Sequence, residues 1–550
     1  MTDQIDFKSK RALVIDDFPG MRTAFKAALA SFGMSRVDLA ASGDEALMRV
    51  KNTKYDIIIS DYNLGDAKDG QQVLEEMRYR KLITLGTVYL MVTAESVYER
   101  VVAAAELAPD DYLIKPFNGE ILRNRLEAIL VKKQAFREVH KSFANGDLER
   151  ALSECNVVIK TNPKCLVDAM RLKGEILIAM GDLQAAGELY SEISAMRAVP
   201  WSRLGLAKTL HLQRKEEEAE EVLSLVLENH PGLVAAYDLL ADVQLAQNRS
   251  MDAQATLTRA TQVSAKSARR QRRLGEVAYQ NKDLKTAESA FKGAIEKGRY
   301  SVFANPNDVG SLARVYLEQD QPRAAGEVLI ANAKQLAEND EGKLVNLVVK
   351  SALSSKNGNQ REAQALVQEA LRLRKAAGGR CSPDLAMDMV QVCVGLGMEQ
   401  EAGQLLEEVA SNAHDSTDLL NRAKDIYRDA GKESVAQTIL QKATGKVAQL
   451  SKQGALLMQA GDLVQGADLL KKASEAAPRN PRVLMNAVWA TLRLIAQHGN
   501  SGGRLGNAKR MLGDAAELAP DHPRLAELRS AMREVEKRLK APELNVACVE

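Results

Sequence analysis

Cysteine, histidine, proline and aromatic residues are all scarce in this chain of 550 residues. The 5 cysteines, Cys155, Cys165, Cys381, Cys393 and Cys548, have the spacing of neither a zinc site nor a disulfide framework. The 6 histidines are scattered, and after Lys133 there is no nucleophile elbow, Walker loop, HExxH or paired Cys/His site. An enzymatic output domain is therefore not expected. No uninterrupted apolar run approaches the ~18 residues of a membrane span. Met1–Lys10 lacks the apolar segment of a secretory signal. The expectation is a cytoplasmic protein with no membrane association. An excess of either charge is missing as well. Lys and Arg number 75 against 73 acidic residues, for a net charge of +2. That argues against bulk electrostatic capture of nucleic acid. Proline, at 14, is rare enough to allow long helices. What the chain does have is 45% hydrophobic residues, enough for real cores. Its length suits about three to five domains, or one domain and a long repeat array.

Aromatics mark a boundary. Of 23 in all, 11 fall in the first 130 residues and 12 in the remaining 420. The first segment has β-rich runs at Ala12–Ile15, Asp56–Ser60, Val88–Val92 and Asp111–Ile114. Helical patterns lie between them: Met21–Ser31, Asp44–Asn52, Gln71–Arg80, Ser96–Glu106 and Glu120–Val131. This alternation predicts βαβ units around a parallel sheet. Beyond Lys133 helical periodicity runs alone to about Lys540.

Open parallel sheets bind ligands at the carboxyl ends of their strands. Here those ends carry Asp16-Asp17, Asp61, Thr93 and Lys115. Right-handed crossovers gather them on one edge. Three carboxylates together repel one another and favour a hard divalent cation such as Mg²⁺. The cation keeps them ionised, and an ionised Asp is a nucleophile towards phosphorus. The metal, Lys115 and Thr93 would hold the phosphoryl oxygens.

The set Asp16-Asp17, Asp61, Thr93-Ala94 and Tyr112-Leu113-Ile114-Lys115-Pro116 closely resembles the receiver domain of two-component response regulators, over about residues 9–131. The resemblance implies a flavodoxin-like α/β receiver with a five-stranded parallel sheet in the doubly wound order 2-1-3-4-5. It implies that Asp61 accepts a phosphoryl group from a histidine kinase or phosphotransfer protein. Asp16, Asp17, Asp61 and the Asn63 backbone carbonyl would hold Mg²⁺. Thr93 and Lys115 would bind phosphoryl oxygens, with Thr93 and Tyr112 as the switch pair. Asn63 and Glu95 would tune dephosphorylation, and Lys115-Pro116 would be a cis peptide. Ala108-Pro109 departs from the family pattern, with a change of turn expected.

The remainder repeats about every 34 residues. Small residues recur at Ala151, Ala186, Ala219, Ala253, Ala287, Ala325, Ala363, Ala402, Ala436, Gly466 and Ala508. A Gly lies five residues before several of them, as at Gly146, Gly181, Gly397 and Gly431. The clearest unit is Leu274-Gly275, Ala278-Tyr279, Ala287, Phe291 and Ala294. The pattern resembles the tetratricopeptide repeat and implies an all-α solenoid over 134–540 of about eleven helix pairs. Asn332 stands where a small residue is expected, and the unit near Lys350 is weak. Segments Gly298–Asp308 and Ala376–Pro383 interrupt the array, and the second is the expected hinge. Pro523–Lys540 reads as a capping helix and 541–550 as a flexible tail.

Glu120–Lys141 has no Gly, Pro or Ser, so the last receiver helix either runs on into the array or breaks near Lys132-Lys133. Such arrays bind proteins or peptides, and Arg269, Arg270, Arg272 and Arg273 are candidates for an acidic partner. The expected function is a phosphorylation-controlled signalling adaptor acting through protein binding. The alternative is a phosphate sink or a constitutive kinase-binding scaffold.

Overall fold

The computed structural model describes residues 6–65, 68–94, 108–196, 199–520, 522 and 524–540. Five strands form the N-terminal sheet: β1 Arg11–Ile15, β2 Arg36–Ala40, β3 Ile57–Asp61, β4 Val88–Ala94 and β5 Asp111–Lys115. All pairings are parallel, in the order β2-β1-β3-β4-β5. The central strands read as unbroken apolar runs because both faces are covered. One face packs with Phe25, Leu29, Leu122 and Leu126, the other with Leu47, Val50, Leu74 and Met77. β2 escaped the composition reading. It is an edge strand, and Arg36 and Asp38 dilute its apolar signal. Helices Pro19–Ser31, Gly43–Asn52, Gly70–Tyr79 and Gly119–Ala135 lie within four residues of their predicted bounds. The predicted helix Ser96–Glu106 falls outside the described residues.

The last of these helices neither ends at Lys132-Lys133 nor runs straight through. It kinks at Phe136, whose φ of −95° and ψ of 3° separate Gly119–Ala135 from Arg137–Ala144. The Phe136 carbonyl still accepts the His140 N–H at 2.9 Å, so the chain turns there without unwinding. Lys133 is spent on the receiver: its ammonium donates to the carbonyls of Leu85 and Thr87 and pairs with Asp110 at 2.7 Å.

From Arg137 onward the described residues are helical and mostly paired, with the 27-residue helix Glu433–Gln459 shared by two units, closed by the helix Arg524–Lys540, whose Leu525, Leu528 and Met532 are buried. Every predicted small residue lies in the second helix of a pair and is buried. In the clearest unit, a Cβ on Gly275 would meet the Phe291 ring at 2.8 Å, so only glycine lets these helices approach. Asn332, the flagged weak point, ends one helix at Ala331, and a short helix Ala333–Ala337 follows. The weak unit near Lys350 is nevertheless a full pair, Asp340–Lys356 with Gln360–Ala376.

Contacts divide the chain into two compact units, 1–178 with 182–308, and 179–181 with 309–550. The division falls at Asp308, the end of the first interruption; the second is Ala376–Pro383. That second segment is tied down: the Gly379 carbonyl accepts from Arg479 at 2.6 Å and the Ser382 N–H donates to Glu341 at 2.9 Å.

The Gly five residues before each small residue has a structural reason. Gly146, Gly181, Gly358, Gly397, Gly431 and Gly461 all have positive φ in the turn between paired helices. In four repeats that place is taken by Arg214, Asn248, Lys282 and Asp320, with φ of 58° to 64°. A side chain there costs roughly 1–2 kcal/mol against the right-handed region, offset partly by glycine's greater freedom when unfolded. Arg214→Gly is therefore expected to stabilise its repeat by about 0.5–1 kcal/mol. Slower amide exchange in the flanking helices Pro200–Leu212 and Glu216–Asn229 is the check. Unchanged or faster exchange would mean the turn is unstrained.

Candidate functional site

Asp16 directly follows strand β1, while β3 ends in Asp61, β4 in Thr93-Ala94 and β5 in Lys115. Parallel register sets these ends side by side: Ile15 pairs with Ser60, Asp61 with Val92, and Ala94 with Lys115. Carboxylate oxygens of Asp16, Asp17 and Asp61 lie within 4.8 Å of one another. Asp16 is buried and Asp17 exposed. Asp16 Oδ1 accepts the Phe18 N–H at 2.8 Å. Asp16 Oδ2 is buried with no hydrogen bond, and the Lys115 ammonium stands 3.6 Å away. The same ammonium is 3.1 Å from Asp61 Oδ2. Asp61 Oδ1 accepts the Tyr62 N–H at 3.0 Å. Burial holds the Asp61 carboxyl above the ordinary carboxylate value, and Lys115 pulls the other way. An orphaned buried oxygen among three crowded carboxylates is a donor set that suits a hard cation.

Thr93 is buried at the end of β4, and Tyr112 is half-buried on β5. Asn63 is exposed, two residues past Asp61. Glu95 lies outside the described residues. Lys115-Pro116 is a cis peptide, as the resemblance implies. Asp110, just past Ala108-Pro109, locks the start of β5: its N–H donates to the Tyr89 carbonyl and its carboxylate accepts the Tyr89 N–H.

The four arginines are placed differently from the expectation. Arg270 is buried and forks onto Asp238 at 2.9 Å. Arg272 forks onto buried Asp308 at 2.6 and 2.9 Å. Arg273 pairs with Asp242, and Arg269 stands over the Phe303 ring at 5.0 Å. The run is thus used inside the array, three of its forks on neighbouring helices, because the facing helices carry acids about one repeat away. An acidic partner on this run is not supported.

Three contributors were not foreseen. Arg22 holds the strand end in place, donating to the carbonyls of Asp16 at 2.6 Å and Asp17 at 3.0 Å. Gly70 begins the helix after Asp61, and a Cβ there would stand 2.2 Å from the Asp61 carbonyl oxygen. Asp69 caps that helix with a full capping box to Gln72. The Asp69-Gly70 pair, just before a helical pattern, was the available signal for the last two.

Comparisons with known proteins agree with this geometry. Residues 12–127 match the response regulator receiver domain. The chain is 30% identical over 122 residues to the chemotaxis protein CheY-3 of Vibrio cholerae, covering 92% of that protein and 22% of this chain. The chain belongs to the response regulator receiver family. It is also 29% identical over 119 residues to the chemotaxis protein CheY of Pseudomonas aeruginosa, covering 94% of that protein. Among solved structures, a tetratricopeptide repeat protein from Parabacteroides merdae matches 44% of this chain and 93% of its own, at 14% identity and a TM-score of 0.29. The Naa15/Naa10 complex bound to HypK-THB matches 74% of this chain at 15% identity and a TM-score of 0.28. The repeat character of the array rests on its own helix pairs. No helix among the described residues is long and apolar enough to cross a membrane.

Gly70→Ala is expected to destabilise the receiver by roughly 1–3 kcal/mol, because the Asp61 backbone must shift to admit a methyl. Thermal unfolding with amide exchange of β3 checks this. An unchanged exchange pattern would mean the loop yields freely.

Proposed function

We propose that this receiver takes a phosphoryl group on Asp61 and that the repeat array carries the output by binding protein. The observation behind the first half is Asp61 itself, a strand-end carboxylate facing Lys115 and two further acids. Asp16, Asp17 and Asp61, with the Asn63 carbonyl, would hold Mg²⁺, which supplies charge neutralisation when bound. Lys115 offsets charge beside the attacking oxygen and Thr93 offers a hydroxyl at the next strand end. An Asp61 oxygen forms a bond to phosphorus as the donor's P–N bond breaks. The donor nitrogen keeps that electron pair and takes up a proton. A histidine kinase or phosphotransfer protein is the donor this reading requires. Tyr112 and Thr93 would report the change, and Asn63 and Glu95 would set its lifetime.

The repeat array, a fold that commonly binds proteins or peptides, favours an adaptor over an output enzyme. A protein or peptide partner for the array is the corresponding proposal, with the chain acting in the cytoplasm.

Purified protein with Mg²⁺ and a small phosphoryl donor should gain one phosphoryl group by intact mass, and Asp61→Ala should gain none. Chelation of the metal should abolish the gain, and Asp17→Asn should slow it by roughly tenfold or more. A pulldown from lysate should then recover different partners with and without donor. Equal recovery with full phosphorylation would favour the phosphate sink, and no gain with any donor would leave a constitutive scaffold.

A further inference from the structure

The arginine run that was expected to face a partner builds something else. Arg270 pins the turn between helices Ser250–Val263 and Ala268–Gln280. Its guanidinium donates to Ser264 Oγ at 2.9 Å, and its N–H donates to the capping Ser267 Oγ at 3.2 Å. Between those serines stands Lys266, exposed at the tip of the turn. Arg272 donates to the Phe303 carbonyl at 2.8 Å and so fixes the loop ahead of the helix Pro306–Glu318. Arg269 covers the Phe303 ring. The step from Ala287 to Ala325 is 38 residues against 34 for the one before, and Phe303 lies in that longer stretch.

Lys266 and Phe303 are two places where this platform meets the receiver. The Lys266 ammonium donates to the Tyr62 hydroxyl at 3.0 Å and stands 3.4 Å from Asp69 Oδ2. Phe303 meets Tyr79 edge-on, with ring centres 5.5 Å apart at 77°. Asp69 caps the helix Gly70–Tyr79 and Tyr79 ends it, so the array grips that helix at both ends. Tyr62 in turn is tied to the site. Its N–H donates to Asp61 Oδ1 at 3.0 Å, and its carbonyl accepts the Gly70 N–H at 2.8 Å.

We propose that the array clasps the receiver through Lys266 and Phe303, and that a phosphoryl group on Asp61 opens this clasp. The coupling rests on the phosphorylation of Asp61 proposed above. When one Asp61 oxygen bonds to phosphorus, the other becomes a neutral carbonyl. Whichever oxygen reacts, the Tyr62 N–H loses a charge-assisted acceptor. The Tyr62 N–H then rests on the Val92 carbonyl alone, at 2.8 Å, the residue readjusts about that bond, and the Lys266 hydrogen bond to its hydroxyl shifts with it. The Lys266 contact is solvent-exposed and therefore weak, which lets a local change undo it.

Amide exchange of the full-length protein tests both halves. Lys266→Ala and Phe303→Ala should each speed exchange in Tyr62–Tyr79 by about fivefold. Exchange in helices Ser250–Val263 and Leu284–Gly298 should not change, which shows that the array is still folded. Lys266→Arg, which keeps the charge, should restore most of the protection. Phosphorylating the wild type should give the same acceleration, and phosphorylating Lys266→Ala should add nothing further in that segment. Unchanged exchange in Lys266→Ala and Phe303→Ala would overturn the clasp. A wild type that gains the phosphoryl group by mass yet keeps full protection would overturn its opening. A wild type that gains no phosphoryl group would defeat the Asp61 reading and the opening with it, while the two substitutions would still decide the clasp.

Discussion

Asp16, Asp17 and Asp61 hold their oxygens within 4.8 Å of one another, against the ammonium of Lys115. Like charges that close are costly without a cation, and burial adds to the cost at Asp16 and Asp61. The surrounding fold works against that repulsion. Arg22 pins the carbonyls after β1, Gly70 lets a helix start press on the Asp61 backbone, and a buried Tyr89 hydroxyl donates to the Gly70 carbonyl at 3.0 Å. Each restraint keeps a carboxylate where it would not stay unaided. A cluster crowded in this way suits a hard divalent cation.

The array depends on a different constraint, the distance between paired helices. Small residues at the same place in each second helix allow close approach, and a left-handed residue five positions earlier turns the chain into it. Where glycine is absent from that turn the fold persists, since packing over the pair outweighs one strained residue. In the clearest unit Leu274, Ala278, Ala287, Phe291 and Ala294 are all buried. Where the small residue of the second helix gives way to Asn332, the helix breaks instead.

Much of this was legible because the chemistry is concentrated at strand ends and the packing at repeat positions. Asp16, Asp61, Thr93 and Lys115 each close an apolar run, so their convergence followed from parallel topology alone. The repeat register was equally plain from Ala151 to Ala508. What was hidden depends on segments distant in sequence. Nothing local marks Gly70 as facing the Asp61 carbonyl, or Lys266 as facing Tyr62. The arginine run misled for a related reason. Four guanidiniums in five residues look like a solvent-facing patch until Asp238, Asp242 and Asp308, about one repeat away on either side, are seen to lie opposite three of them. Edge strand β2 was hidden by its own charged residues.

The magnitudes decide what kind of junction Lys266 and Phe303 make. An exposed ion pair contributes about 0.2–1 kcal/mol, and an edge-to-face ring pair about 0.5–1.5 kcal/mol beyond its buried area. Together they fall within the roughly 1–3 kcal/mol by which one site commonly biases another. The Lys133 anchorage differs in kind. That ammonium is largely buried, paired with Asp110 and bonded to two carbonyls, and breaking it would strand a charge. The last receiver helix is thus fixed firmly just before the kink at Phe136, while the array holds the helix after Asp61 by contacts small enough to be given up. The phosphoryl chemistry proposed at Asp61 would act directly on the weakly held side.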